Sequence, residues 1–297
     1  MASVRANGIE IEVERFGPES GRPLLLVMGL GGQAIMWDDG FCQALVERGH
    51  HVIRFDNRDV GLSTKFGAAG IPDVAALMMR AAAGEALEVA YTLDDMADDA
   101  VGLLDALGIE SAHVCGASMG GMIVQTLAIR HAARLRSMTS IMSTTGKPGL
   151  PPGRPEAMAV LMLPPPTDRA GSLDAAVRTW RTIGSPGFPF DEEKIRARAG
   201  RLYDRSFYPA GTARQLAAVV AGGSRADPLR DVTTPTLVIH GAEDPLIPLS
   251  GGQDTADSIP GAALLVIEGM GHDLPEGAWP RLVGAISEHT AKADARG

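Results

Sequence analysis

The stretch Ala112 to Val124, AHVCGASMGGMIV, joins two apolar segments through a single serine. Four small residues surround Ser118, namely Gly116, Ala117, Gly120 and Gly121. The pattern predicts a buried strand that turns at Ser118 directly into a helix. So tight a turn strains the serine backbone and leaves no room for side chains two residues away. It also exposes the hydroxyl beside the Met119 N–H, at a helix N-terminus that can bind a developing oxyanion.

Short apolar strands alternate with amphipathic helices on both sides of this turn. The candidate strands are PLLLVMG, HVIRF, SAHVCG, LRSMTSIMST, TPTLVIH and AALLVIE. The helix in YTLDDMADDAVGLLDALGI starts at a capping-box-like pair, Thr92 and Asp95. Asn7-Gly8 between two alternating segments predicts an N-terminal hairpin. This order of elements predicts an α/β fold with a mostly parallel central sheet flanked by helices.

The alternation stops between Gly146 and Gly223. This segment is rich in Pro and Gly, as in GKPGLPPGRPE and GSPGFPF, and it has irregular helical patches but no strand pattern. We therefore predict a core domain formed by residues 1–145 and 224–297, with residues 146–223 inserted as a mainly helical cap. We expect the cap to lie over the carboxyl edge of the sheet, where parallel sheets bind their ligands.

A serine hydroxyl becomes a good nucleophile only when a base removes its proton and a carboxylate orients that base. We expect both partners in loops after later strands, at the same edge of the sheet. Asp244 follows the strand in VIHGAEDPLIP, and His272 follows the strand in LLVIEGMGHDLP. The order Ser118, Asp244, His272 is typical of hydrolases with a nucleophile elbow.

Neighbouring residues compete for these roles. Glu243 is adjacent to Asp244 but is expected to point elsewhere, and Asp273 follows His272 too closely to brace its ring. The other histidines lie at strand starts, on helices or at a strand end, where a packed or hydrogen-bonded ring is the usual arrangement. They are His50, His51, His113, His131, His240 and His289.

The glycine-rich loop VMGLGG follows the first core strand and lets the backbone approach the nucleophile. We predict the Leu30 N–H as the second oxyanion donor, beside the Met119 N–H. Apolar side chains of the cap either line a substrate pocket or simply pack the cap onto the core. The predicted substrate-binding residues are Gly29, Met158, Met162 and Trp180.

Composition narrows the range of partners. The 297 residues carry a net charge of -9, which repels phosphate backbones and anionic lipids, so neither nucleic acid nor membrane is expected as a partner. The seven histidines show no metal-ligand spacing and the two cysteines form no CxxC, so no metal is expected. The N-terminal residues lack the apolar core of a secretory signal, and we expect a cytoplasmic protein. The oligomeric state stays open, with a homodimer as one option.

The segments VMGLGG, FDNRDVGLST, GASMGG, GAEDPLIP and GMGH occur in the order typical of the α/β-hydrolase superfamily, which the chain resembles over essentially its whole length. Within it, the chain is similar to small bacterial carboxylesterases of the aclacinomycin methylesterase type, with enol-lactonases nearby. The resemblance implies the α/β-hydrolase fold and cleavage of an ester or lactone through an acyl-enzyme, without a cofactor. Met28 stands where many relatives have a histidine that shapes the oxyanion loop. Asp56 and Arg58 match a turn of the family, which we interpret as structural, with an Asp–Arg pair that joins loops at the edge of the sheet.

We therefore predict a serine hydrolase that cleaves a small-molecule carboxylic ester. A lactonase acting on enol-lactones or acyl-homoserine lactones would use the same residues, and the sequence leaves that alternative open. The alternative outside the enzymes is a small-ligand receptor, which would keep the fold and the pocket but would not turn over its ligand. The presence of Ser118, Asp244 and His272 together argues against the receptor.

Overall fold

The computed structural model of the chain describes residues 2–296. Its eight strands are β1 (Ala2–Ala6), β2 (Ile9–Phe16), β3 (Arg22–Val27), β4 (His50–Phe55), β5 (Ala112–Ala117), β6 (Leu135–Ile141), β7 (Thr236–Gly241) and β8 (Ala263–Ile267). They form one sheet in the order β1-β2-β4-β3-β5-β6-β7-β8. Pairing is antiparallel from β1 through β2 to β4 and parallel among all the others, so the predicted mostly parallel sheet is confirmed.

Helices flank the sheet on both faces. The helices of the described chain, those of the predicted cap included, are α1 (Asp39–Val46), α2 (Val74–Ala82), α3 (Leu93–Ala106), α4 (Met119–Arg130), α5 (Pro155–Leu161), α6 (Arg169–Ile183), α7 (Glu192–Arg205), α8 (Pro209–Ala221), α9 (Ala226–Leu229), α10 (Leu249–Ser258) and α11 (Trp279–Asp294). The predicted capping box starts α3, with Thr92 and Asp95 each bonded to the backbone of the other. None of the helices within residues 2–296 is both long enough and apolar enough to cross a bilayer.

The alternation of side chains along β3 explains why this strand is apolar at every central position. Leu24 and Leu26 pack into the cluster formed with α1 and α11, whereas Leu25 and Val27 pack into the cluster formed with α3 and α4. Because a strand side chain points to alternate faces, a strand covered on both sides must be apolar throughout. The sheet therefore separates two hydrophobic layers.

The segment predicted as a cap contains α5 to α8 and no strand within the described chain. Its helices are better formed than the irregular patches expected from the sequence. Pro155 and Pro209 do not break them, because each occupies the first turn of its helix, where a missing N–H costs no hydrogen bond. The division of the chain into core and cap stays a prediction.

The turn after β4 differs from the expected Asp–Arg pair. Asp56 and Arg58 do not bond to each other. Asp56 bonds to Arg205 at 2.7 Å and accepts the Ala34 N–H, while Arg58 bonds to both oxygens of Asp99. The turn is also closed locally, because the Leu62 N–H donates to Asp56, so Asp56 and Arg58 join the turn to itself and to three distant parts of the chain.

Candidate active site

Ser118 lies at the junction between β5 and α4, in a backbone conformation that L-residues rarely adopt. Its φ is 56° and its ψ is -119°, and it is the N-cap residue of α4. The backbone is held on both sides, because Ser118 N–H donates to the Ile141 carbonyl at 2.9 Å and the Ser143 hydroxyl donates to the Ser118 carbonyl at 2.8 Å. Such strain persists only where surrounding bonds enforce it, and it is common at functional sites.

The small residues around Ser118 are required by close backbone approach. A Cβ built on Gly120 would overlap the carbonyl oxygen of Val27, and one built on Gly116 would overlap the carbonyl oxygen of Gly120. The start of α4 therefore packs directly against β3 and β5, which leaves the Ser118 side chain facing the cavity described below.

The structure brings Ser118, His272 and Asp244 together, although they are far apart in the sequence. Ser118 Oγ lies 2.9 Å from His272 Nε2, and His272 Nδ1 lies 2.8 Å from Asp244 Oδ2. These are hydrogen-bond distances for a hydroxyl, an imidazole and a carboxylate in series. The imidazole can therefore take the hydroxyl proton on one nitrogen while the carboxylate holds the other.

Asp244 is fixed by its own loop after β7. Its Oδ1 accepts the N–H groups of Leu246 and Ile247, each at 2.9 Å, which leaves Oδ2 for His272. His240, at the end of β7, bonds through Nε2 to the Ile247 carbonyl at 2.8 Å. Burial lowers the pKa of the His240 imidazole, so this ring stays neutral beside Asp244 and acts as packing for the loop.

The loop that carries His272 is held by the end of α6 and by the residues that follow it. His272 N–H donates to the Ile183 carbonyl at 2.7 Å, and Gly271 N–H donates to the Ser185 hydroxyl at 2.8 Å. The Ser185 hydroxyl in turn donates to Asp273. Asp273 therefore does not brace the imidazole, and burial raises the pKa of its carboxyl. No local signal in the sequence identified Ser185, since its partners are more than eighty residues away.

The residues predicted as oxyanion donors lie beside the serine. Leu30 and Met119 line the same cavity as Ser118, and a Cβ built on Gly29 would come 3.1 Å from Ser118 Cβ. Met119 is the first residue of α4, where backbone N–H groups have no partner within the helix. Met28, in place of the histidine of many relatives, is buried.

A cavity of about 1610 Å³ opens over these residues and is mostly apolar. Met158 and Trp180 from the predicted cap line it, together with Gly29. Met162 does not, which corrects its prediction as a substrate-binding residue. The reason is that α5 ends at Leu161, and Met162 turns outward with 47% of its surface exposed.

Other reactive side chains within the described chain do not compete with Ser118. Cys115 lies on β5 and Cys42 on α1, and both are free and buried. Burial raises the pKa of both thiols, that of Cys42 to about 12, so neither supplies a thiolate. Residues 2–296 contain no group of three or more His, Cys, Asp or Glu side chains arranged to hold a metal ion.

The chain is similar to known hydrolases along its length. A model of the α/β hydrolase fold family matches residues 22–277. The chain is 33% identical to rhodomycin D methylesterase DauP of Streptomyces sp. (strain C5), with 94% of each chain covered. It is 25% identical to 3-oxoadipate enol-lactonase 1 of Acinetobacter baylyi, covering 83% of this chain and 80% of that one.

Solved structures agree with the sequence similarity at the level of the fold. The meta-cleavage product hydrolase CumD of Pseudomonas fluorescens IP01 superposes with a TM-score of 0.75 at 22% identity, covering 99% of this chain and 98% of that one. The family match spans most of the chain, and the sheet has the mostly parallel order expected from it. The chain therefore belongs to the α/β-hydrolase family.

Proposed function

We propose that the protein is a serine hydrolase that cleaves carboxylic esters through an acyl-enzyme. The observation that carries the proposal is the continuous hydrogen-bonded series from Ser118 Oγ through His272 to Asp244. A bridging imidazole gives an ordinary serine its reactivity toward an acyl carbon. Similarity to a methylesterase over 94% of both chains supports an ester as the substrate.

In the first half-reaction, Ser118 Oγ attacks the ester carbonyl while His272 Nε2 takes the hydroxyl proton. Asp244 stabilises the imidazolium that forms, and it keeps the proton of the neutral ring on Nδ1. The N–H groups of Leu30 and Met119 bind the negative oxygen of the tetrahedral intermediate. His272 then gives its proton to the leaving alcohol, and the acyl group stays on Ser118.

In the second half-reaction, a water molecule replaces the alcohol. His272 removes a proton from this water as it attacks the acyl carbon, and the intermediate collapses to release the carboxylic acid and return the proton to Ser118. The reaction uses only these side chains and backbone N–H groups, so the proposed mechanism requires no cofactor.

The cavity supports a bulky substrate. Its volume of about 1610 Å³ exceeds the roughly 300–1,000 Å³ of common small-molecule sites. We assign Met158, Trp180 and Gly29 to substrate contact, with Gly29 next to the nucleophile and the other two on the cap side. The flexible thioether of Met158 can adapt to different apolar groups.

Replacement of Ser118 by Ala tests the proposal. The Ser118→Ala variant is expected to lose p-nitrophenyl ester hydrolysis by on the order of 10⁴-fold or more. Ser287→Ala is the matched control, because the Ser287 hydroxyl is buried on α11 with no bonding partner in the described chain. Activity within tenfold of wild type in Ser118→Ala would contradict the assignment.

A lactone is the second candidate substrate, favoured by the similarity to 3-oxoadipate enol-lactonase 1. Opening of a lactone ring uses the same attack and the same proton transfers as ester cleavage, so the geometry of the site is suited to either substrate. Turnover of a linear ester and a lactone of equal carbon number decides between them. A higher kcat/KM for the linear compound supports the esterase, and a higher value for the ring supports the lactonase.

A further inference from the structure

The loop after β3 is held in place by a side chain from α8. Gly31 N–H donates to Gln215 Oε1 at 2.8 Å, although the two residues are 184 positions apart. Gly31 directly follows Leu30, whose N–H we assign to the oxyanion. The loop contains glycines at 29, 31 and 32, and glycine-rich backbone needs external bonds to keep one conformation.

Gln215 is fully buried, and both ends of its amide are used. Its Oε1 accepts from Gly31, and its Nε2 donates to the Arg58 carbonyl at 2.8 Å. A backbone N–H needs an acceptor and a carbonyl needs a donor, so this pair of partners allows one amide orientation only. Gln215 is therefore a rigid bridge between the turn after β4 and the loop after β3.

The helix that carries Gln215 is packed tightly against the same loop. Gly31 has a φ of +65°, and a Cβ built there would come 2.8 Å from the Thr212 hydroxyl, one turn before Gln215 on α8. Arg214, on the neighbouring face of α8, binds Asp59 through two bonds of 2.7 and 2.9 Å. These contacts fix α8, so the Gln215 amide is presented to Gly31 from an anchored position.

We propose that Gln215 is a positioning residue for the oxyanion hole, an inference that rests on the proposed function. Its bond fixes the peptide between Leu30 and Gly31, while the Gly32 N–H bond to the Gly29 carbonyl, at 3.0 Å, fixes the other side of the turn. The Leu30 N–H shares a planar peptide with the Gly29 carbonyl, so bonds to the peptides on both sides of Leu30 fix the direction of this N–H. A preoriented donor stabilises the transition state without reorganisation during the reaction.

The test replaces Gln215 by Met, which has a similar volume and forms neither bond. We expect kcat for a p-nitrophenyl ester to fall by about 10- to 100-fold, since loss of a whole oxyanion donor costs about 10² to 10³. KM should change by less than about threefold, because the ground-state ester makes little use of the oxyanion donors. Affinity for a trifluoromethyl ketone, which adds to the serine as a tetrahedral oxyanion, should fall by the same factor as kcat.

Gln33→Met is the matched control. Gln33 is also buried and also joins this part of the core to the α7–α8 region, through Leu202 and Ser206 carbonyls, but it makes no bond to residues 29–31. Its kcat and trifluoromethyl ketone affinity should stay within about threefold of wild type. Equal losses in both variants, or wild-type kcat in Gln215→Met, would overturn the inference.

The wild-type protein supplies a second measurement that does not depend on the folding of a variant. The Gly31 amide should exchange with deuterium at least about 100-fold more slowly than in an unstructured peptide, because it donates to the buried Gln215 side chain. Exchange at the unstructured rate would contradict the bridge. A failure of Ser118→Ala to abolish hydrolysis would overturn the proposed function itself, a result distinct from either of these.

Discussion

Asp244 Oδ2 lies 2.8 Å from His272 Nδ1, on the side of the imidazole opposite Ser118. The other oxygen of the same carboxylate accepts two backbone N–H groups, from Leu246 and Ile247. The carboxylate therefore cannot turn over without losing two hydrogen bonds. This fixed orientation determines which nitrogen of His272 carries the proton.

The Asp244→Asn variant should lose activity through the wrong tautomer of His272. The two backbone N–H groups require an oxygen, so the amide nitrogen of Asn must face His272 Nδ1 and donate to it. The imidazole proton then moves to Nε2, which can no longer accept from Ser118. We expect kcat to fall by about 10⁴-fold in steady-state kinetics.

The control is Asp254→Asn, the same exchange at a carboxylate on α10 that bonds to Thr145 and Lys147, away from the catalytic residues. It should keep kcat within about threefold of wild type. A tenfold or smaller loss in Asp244→Asn would show that tautomer control by this carboxylate is not needed.

The Gly120→Ala variant should be strongly destabilised. The added methyl overlaps the Val27 carbonyl oxygen. The backbones of β3 and α4 cannot move apart to relieve this overlap without breaking the packing between them. We expect the free energy of unfolding in urea to fall by more than about 2 kcal/mol. Gly284→Ala on α11, where a Cβ has open space, should instead gain up to about 1 kcal/mol from helix propensity. Equal stability of the two variants would contradict the close approach.

The buried carboxyl of Asp273 should make the stability of the protein depend on pH, because burial raises its pKa. A raised pKa in the folded state means that ionisation of Asp273 opposes folding, so the penalty is fully present above the folded pKa and is lost as the pH falls through it. Asp273→Asn should therefore gain stability at neutral pH, and the gain should disappear on acidification. Urea unfolding at several pH values measures this difference.

The Arg214→Met variant should lose about 3–5 kcal/mol in the free energy of unfolding, because it leaves the Asp59 carboxylate buried without its partner. The side chains of this pair are 2% and 0% exposed. Burial tends to raise the pKa of Asp59, but hydrogen bonds from Arg214 and the Phe66 N–H outweigh it and lower the pKa. The control is Arg169→Met, which breaks an exposed pair with Asp204 and should leave the free energy of unfolding nearly unchanged, since solvent screens exposed pairs.

Local patterns in the sequence were sufficient for most of the fold. The Asn7-Gly8 hairpin, the capped helix at Thr92 and the strands of the sheet all depend on residues close together in the chain, and all are present. The turn at Ser118 was predictable for the same reason, since the small residues it needs lie within three positions. Short-range sterics and hydrophobic periodicity determine these features.

Long-range contacts were not predictable in this way. The proline-rich segment was predicted to be irregular. A proline in the first turn of a helix looks the same in the sequence as a proline in a loop, until the bounds of the helix are known. Met162 was grouped with Met158 by composition, yet the end of α5 separates them. Gln215 and Ser185 carry no local signal, because their roles arise only when segments more than eighty residues apart meet.

The proposed mechanism requires a covalent bond to Ser118, and this bond can be located. The protein is treated with a fluorophosphonate, and the modified residue is identified by mass spectrometry of its peptides. We expect one adduct per chain, on Ser118, with ester hydrolysis lost in proportion to labelling. Hydrolysis that survives complete labelling of Ser118, or loss of activity through an adduct on another residue, would contradict the proposed mechanism.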